Sequence, residues 1–122
     1  GETPLFDACE SGNLNIVRYL IGNNKENINR WNYKNETPLF KACKSGNETI
    51  VKYLIEQGSN IHIENRNNET PLFEACKNGN ENIVKLLIKI GSNINKENKN
   101  NETPIFYACS SGNLNIVKYL IK

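Results

Sequence analysis

The chain has no methionine, one tryptophan and one histidine. A lone imidazole, His62, excludes metal sites built on several histidines and leaves no repeated base to activate a nucleophile; it reads as a loop residue. Long apolar runs are missing as well. The K-L-L-I-K-I that begins at Lys85 is among the longest, far short of the roughly 20 residues of a membrane-spanning helix, so no membrane partner is expected. No signal peptide is visible, and the abrupt opening at Gly1 leaves room for a removed upstream segment. Neither sign of charge dominates. Fifteen Lys and Arg against thirteen Asp and Glu leave a formal net charge of +2, with the signs interleaved, and nothing in this nominates nucleic acid as a partner. There is no Gly-rich phosphate loop and no recurring pair of carboxylates on one helix face, so no enzyme and no cofactor is expected. Apolar residues amount to 38%, a low share for a globular core, and Asn makes up much of the difference.

What is present is repetition. Thr3, Thr37, Thr70 and Thr103 fall at intervals of 34, 33 and 33 residues, each opening a copy of E-T-P-(L/I)-F-x-A-C. Each copy continues through Gly-Asn into a second apolar block, I-V-R-Y-L-I in the first and I-V-K-(Y/L)-L-I afterwards. Pro4, Pro38, Pro71 and Pro104 suit a first helical turn, where no amide donor is needed, and the preceding Thr is placed to cap it. Leu5, Ala8 and Cys9 lie three to four residues apart and share a helix face, as do their counterparts. Gly12, Gly46, Gly79 and Gly112 then stop the helix. Asn13, Asn47, Asn80 and Asn113 are candidate caps for a second helix, whose apolar pairs at i, i+1, i+4 and i+5 form a helical stripe and not a strand alternation. The polar, Asn- and Gly-rich stretch that follows reads as a turn or hairpin connector. Helices this short cannot cover their own apolar faces, so stability must come from stacking pair on pair.

The T-P-L helix start at a 33-residue period resembles the ankyrin repeat over nearly the whole chain. The resemblance implies an all-α, ankyrin-type solenoid of stacked helix-turn-helix repeats joined by hairpin loops. It divides the chain into copies at 1–34, 35–67, 68–100 and 101–122, a single domain that reads as a piece of a longer array. Three departures stand out. Phe6, Phe40, Phe73 and Phe106 replace the usual histidine, exchanging polar bonding for apolar contact. Asn35, Asn68 and Asn101 replace glycine at the hairpin tip, where Asn tolerates left-handed backbone better than other side chains do. The extra residue between Ile21 and Thr37 should give the first connector a different shape.

Cys9, Cys43, Cys76 and Cys109 occupy one slot in every copy. Stacked helices stand about 8–10 Å apart, too far for a disulfide, so all four are expected as small buried core residues. Unpaired thiols favour a reducing, cytoplasmic setting. The same setting argues against glycosylation at the Asn-Glu-Thr triplets starting at Asn35, Asn47, Asn68 and Asn101, three of which recur only because the repeat does.

Slots that vary between copies are those the scaffold does not need. After Phe stand Asp7, Lys41, Glu74 and Tyr107; after Cys stand Glu10, Lys44, Lys77 and Ser110; the tips carry Trp31 and Tyr33, then Glu64 and Arg66, then Glu97 and Lys99. In ankyrin-like stacks the hairpin tips and first helices form one concave surface. The resemblance therefore implies a monomeric protein-interaction module whose partner-binding residues are Trp31, Tyr33, Lys41, Lys44, Glu64, Arg66, Glu74, Lys77 and Tyr107. Trp, Tyr and Arg are also the types enriched in binding hot spots. The recurring lysines beside Arg66 suit an acidic patch on an unidentified protein partner. The alternative is a structural spacer within a longer repeat array.

Overall fold

A computed structural model describes residues 3–121. Among these the elements are helical, with no strand: α1 (Pro4–Ser11), α2 (Leu14–Asn23), α3 (Pro38–Ser45), α4 (Glu48–Glu56), α5 (Pro71–Asn78), α6 (Glu81–Lys89), α7 (Pro104–Ser110) and α8 (Leu114–Leu120). Each odd-numbered helix opens on its proline and packs against the even-numbered helix that follows. The odd helices also stack on one another in a row, and the even helices form a second, looser row. The single extra residue of the first connector is taken up by a 3-10 turn over Lys25–Asn29, which buries Ile28 where the next connector buries Ile61.

Local chemistry explains the boundaries. Asn13, Asn47, Asn80 and Asn113 each accept a hydrogen bond through the side chain from the amide of the residue three further on, Ile16, Ile50, Ile83 and Ile116. Gly12, Gly46 and Gly79 close their helices in the left-handed conformation, where a Cβ would be strained; in the fourth copy Ser111 caps α7 in right-handed backbone and Gly112 turns left-handed one residue later, against the expectation that Gly112 is the stop. The threonines behave otherwise than the sequence suggests. Thr3, Thr37, Thr70 and Thr103 stand at the N-cap position without a side-chain capping bond, and the buried hydroxyls of Thr3, Thr37 and Thr70 have no partner. The buried rings of Phe6, Phe40 and Phe73 offer no polar atom in the slot two residues beyond the proline, so the hydroxyl gains nothing by turning towards it.

The core is a continuous strip of Leu5, Cys9, Leu39, Cys43, Leu72 and Cys76 from the odd helices and Val17, Ile50, Leu54, Ile83 and Leu87 from the even ones. Burial is not uniform along the stack. Cys109 is exposed, contrary to the expectation that all four thiols are shielded, and Phe106 is 46% exposed where Phe73 is wholly buried. These slots face the succeeding copy, and no described residue lies there beyond α7 and α8. At the opposite end Ile16 is exposed, whereas Ile50, Ile83 and Ile116 are covered by the copy before them.

Candidate protein-interaction surface

Three hairpin tips project between the helix pairs, and one Asn side chain organises each. The Asn32 carboxamide oxygen accepts from the amides of Lys34 and Glu36, that of Asn65 from Asn67 and Glu69, and that of Asn98 from Asn100 and Glu102. Across the tips, the amides of Asn32, Asn65 and Asn98 donate to the carbonyls of Glu36, Glu69 and Glu102. Closing so tight a turn needs positive φ, and Asn35, Asn68 and Asn101 supply it at 62°, 62° and 61°. Neighbouring tips are then tied together. The Arg66 amide donates to the Lys34 carbonyl and the Lys99 amide to the Asn67 carbonyl, both at 3.0 Å. Side-chain nitrogens of Asn65 and Asn98 reach back to Glu36 (3.0 Å) and Glu69 (2.8 Å). Much of the asparagine content is therefore a ladder between copies as well as a set of caps. The signal was available in the sequence: Glu36, Glu69 and Glu102 are invariant, which separates them from the variable slots around them.

A polar groove of about 350 Å³ lies between the first and second tips and the helices α3 and α5, lined by Lys34, Glu36, Lys44, Asn65, Arg66, Asn67, Glu69, Glu74 and Lys77. Four of the partner-binding residues chosen from sequence, Lys44, Arg66, Glu74 and Lys77, meet here. Tyr107 joins from α7: the Lys77 ammonium sits 4.6 Å from its ring centre, and its hydroxyl donates to Glu69 at 2.9 Å. Its ring also meets Phe73 edge-on at 5.9 Å. The other choices lie apart. Lys41 points one copy back, 3.9 Å from Glu10. Glu64 pairs with Lys96 at 3.1 Å. Trp31 lines a separate open cleft with Glu26, Asn29 and Arg30. Trp31 and Tyr33 are 62% and 66% exposed, so most of each residue is open to solvent. His62 is an exposed loop residue.

Glu74 and Glu69 are both buried, and their surroundings treat them differently. Burial raises the Glu74 carboxyl, the Lys77 and Lys44 charges pull it back, and Glu36 and Glu69 push it up again; the net shift is upward. Burial would raise Glu69 too, but hydrogen bonds from Asn98, Lys77 and Tyr107, with the Lys77 charge, outweigh it, and this carboxyl falls below its ordinary value. For Lys77, burial favours the neutral form, yet the bond to Glu69 and the charges of Glu74, Glu69 and Glu36 hold it protonated above its ordinary range. Glu69, Lys77, Asn98 and Tyr107 thus form a self-satisfied network linking the third and fourth copies. Glu74 offers little surface to a partner, and Tyr107 is half spent on this scaffold role.

Helix pairs stacked through a common core, with tied hairpin tips along one edge and a polar groove beside them, define a helical repeat solenoid. A family model for ankyrin repeats, in three copies, matches residues 1–65 and again residues 57–122. The chain belongs to the ankyrin-repeat family. Members are generally protein-protein interaction modules and typically non-catalytic. No curated protein matches the chain significantly. Among the described residues no helix is long and apolar enough to cross a membrane, and no cluster of His, Cys, Asp and Glu suits a metal ion.

Proposed function

We infer that this chain is a protein-interaction module that binds its partner across the hairpin tips and first helices. The observation that carries the reading is the division of labour between slots. Invariant positions are spent on caps, tips and core, whereas the variable Trp31, Tyr33, Lys44 and Arg66 all stand exposed along one edge. Odd helices pack more extensively on one another than even ones do, which supports a concave edge on the odd-helix side. Large, mostly exposed aromatic rings on a rigid tip suit binding, because little side-chain entropy is lost when a partner covers them. The unpaired thiols of Cys9, Cys43 and Cys76 support a reducing, cytoplasmic setting.

A pull-down from the source cell, comparing the chain with a variant carrying Trp31→Ala, Tyr33→Ala and Arg66→Ala, tests the reading. A partner retained by the parent chain and lost by the variant, with both melting at the same temperature, is the expected result. Equal retention by both would move the binding site off these three residues, and no partner retained by the parent chain would favour the structural-spacer reading.

A further inference from the structure

We propose that the groove between the first and second hairpin tips seats a carboxylate side chain of an acidic, extended peptide segment, held by Lys34, Lys44 and Arg66. The proposal rests on the reading that the tip and first-helix edge binds protein, and names the chemistry of what it binds. The groove is lined by four cations, Lys34, Lys44, Arg66 and Lys77, and three carboxylates, Glu36, Glu69 and Glu74. The carboxylates are committed inward: Glu69 accepts from Lys77, Asn98 and Tyr107, Glu36 accepts from Asn65, and Glu74 is buried 3.7 Å from Lys77. Lys77 is consumed by two of them. Lys34, Lys44 and Arg66 remain, exposed and without an ion pair among the described residues.

Position is built in. The backbone bond from the Arg66 amide to the Lys34 carbonyl holds the two tip cations beside each other, and Lys44 rises from the rigid end of α3. An arginine fork with flanking ammonium groups is suited to a carboxylate. The volume, about 350 Å³, is at the small end of ligand sites and admits one or two side chains. A site of this size with these three cations takes a single carboxylate and not a run of phosphates, so the geometry favours an acidic peptide over a nucleic acid. Tyr33, exposed and adjacent in sequence to Lys34, with the Lys34 ammonium 5.8 Å from its ring centre, offers a flat apolar face for the neighbouring residue of the peptide.

The test uses a random peptide library displayed on phage, selected against the whole chain, with enriched peptides resynthesised and titrated against the parent and two variants. One variant carries Lys44→Gln and Arg66→Gln, the other Tyr33→Ala and Trp31→Ala; all four positions are exposed, and unchanged melting temperatures establish that the variants fold. The expected result is enrichment of Asp or Glu next to an apolar residue, at least about tenfold weaker binding to the Gln variant, and weakening with added salt. Enriched peptides without an acidic residue, binding unaffected by the Gln variant but lost in the Ala variant, would overturn the carboxylate proposal and leave the binding edge standing. Peptides indifferent to both variants, or no enrichment at all, would overturn both. A twenty-nucleotide oligothymidine that bound in a Lys44- and Arg66-dependent way more tightly than any selected peptide would also overturn the proposal.

Discussion

Phe73 and Phe106 hold the same slot in successive copies, and cutting each to Ala measures how much of a copy's stability comes from the one stacked on it. Phe73 is 0% exposed and meets Tyr107 of the next helix row member edge-on, whereas Phe106 is 46% exposed. A fully packed Phe cut to Ala costs about 3–5 kcal/mol, cavity included. A phenylalanine buries up to about 200 Å²; with 46% of that already in water, Phe106 forgoes roughly 90 Å², or about 2 kcal/mol at ~25 cal/mol per Å². Its slot is open, so water replaces the ring and the cavity penalty is small. Phe106→Ala should therefore cost about 1–2 kcal/mol, some 2 kcal/mol less than Phe73→Ala. Urea unfolding followed by far-ultraviolet circular dichroism reads both as shifts of the midpoint, valid where the slope is unchanged and the transition stays single. Costs equal to within about 0.5 kcal/mol would refute the reasoning, since the slot's energy would then come from within its own copy.

Leu54→Ala, in the buried strip, should destabilise by about 2–5 kcal/mol, while Trp31→Ala should stay near 0.5 kcal/mol or below; equal falls in melting temperature would make Trp31 a packing residue. In the native state Cys109 should react quickly with a thiol reagent, and Cys9, Cys43 and Cys76 only as the stack opens, because burial pushes the Cys9 and Cys76 thiols up to about 12; simultaneous reaction of all the thiols would contradict this. Glu69 and Glu74 should pull the acid limb of stability in opposite directions. Glu69 lies below its ordinary 4.5 when folded, so its contribution is complete above that pH and is lost as pH falls through the folded value. Glu74 is raised above 4.5, so the cost of ionising it appears as pH rises through that window; urea midpoints at neutral pH should be higher for Glu74→Gln than for the parent chain, with the advantage gone below about pH 4, and a lower midpoint at neutral pH would refute the sign.

The repeat unit was legible in the sequence because each of its signals is local. Proline at the first turn, Asn before the second helix and Gly after the first act within four residues of themselves, and the structure has each in its role apart from Gly112, which follows the cap residue Ser111. Threonine misled, because a cap needs its hydroxyl to turn towards the amides, and position alone does not decide that. The site was legible in part. Comparing copies separated variable from invariant slots, which placed Lys44, Arg66, Trp31 and Tyr33 on an exposed edge. It could not see that Glu74 and Tyr107, though variable, are drawn inward, nor that the invariant Glu69 completes their surroundings from the second hairpin tip.

Composition, period and turn chemistry alone determined that this chain is an all-helical stack, since short-range steric and capping preferences recur in every copy whatever its neighbours. Only the tertiary structure decided which members of one slot are buried and which exposed. Phe73 and Phe106, or Cys76 and Cys109, are identical in local sequence role, and their burial differs because accessibility depends on what stands across the interface. The same holds for charge. Lys77 and Lys44 follow cysteine in successive copies, yet the ion pairs to Glu69 and Glu74 hold one inward, while the other stays exposed beside Arg66. Glu74 stands one helical turn before Lys77 and is readable from spacing, but the bond to Glu69 on the tip before α5 and the approach of the Tyr107 ring from α7 are not, because position along the chain does not encode a distance in space.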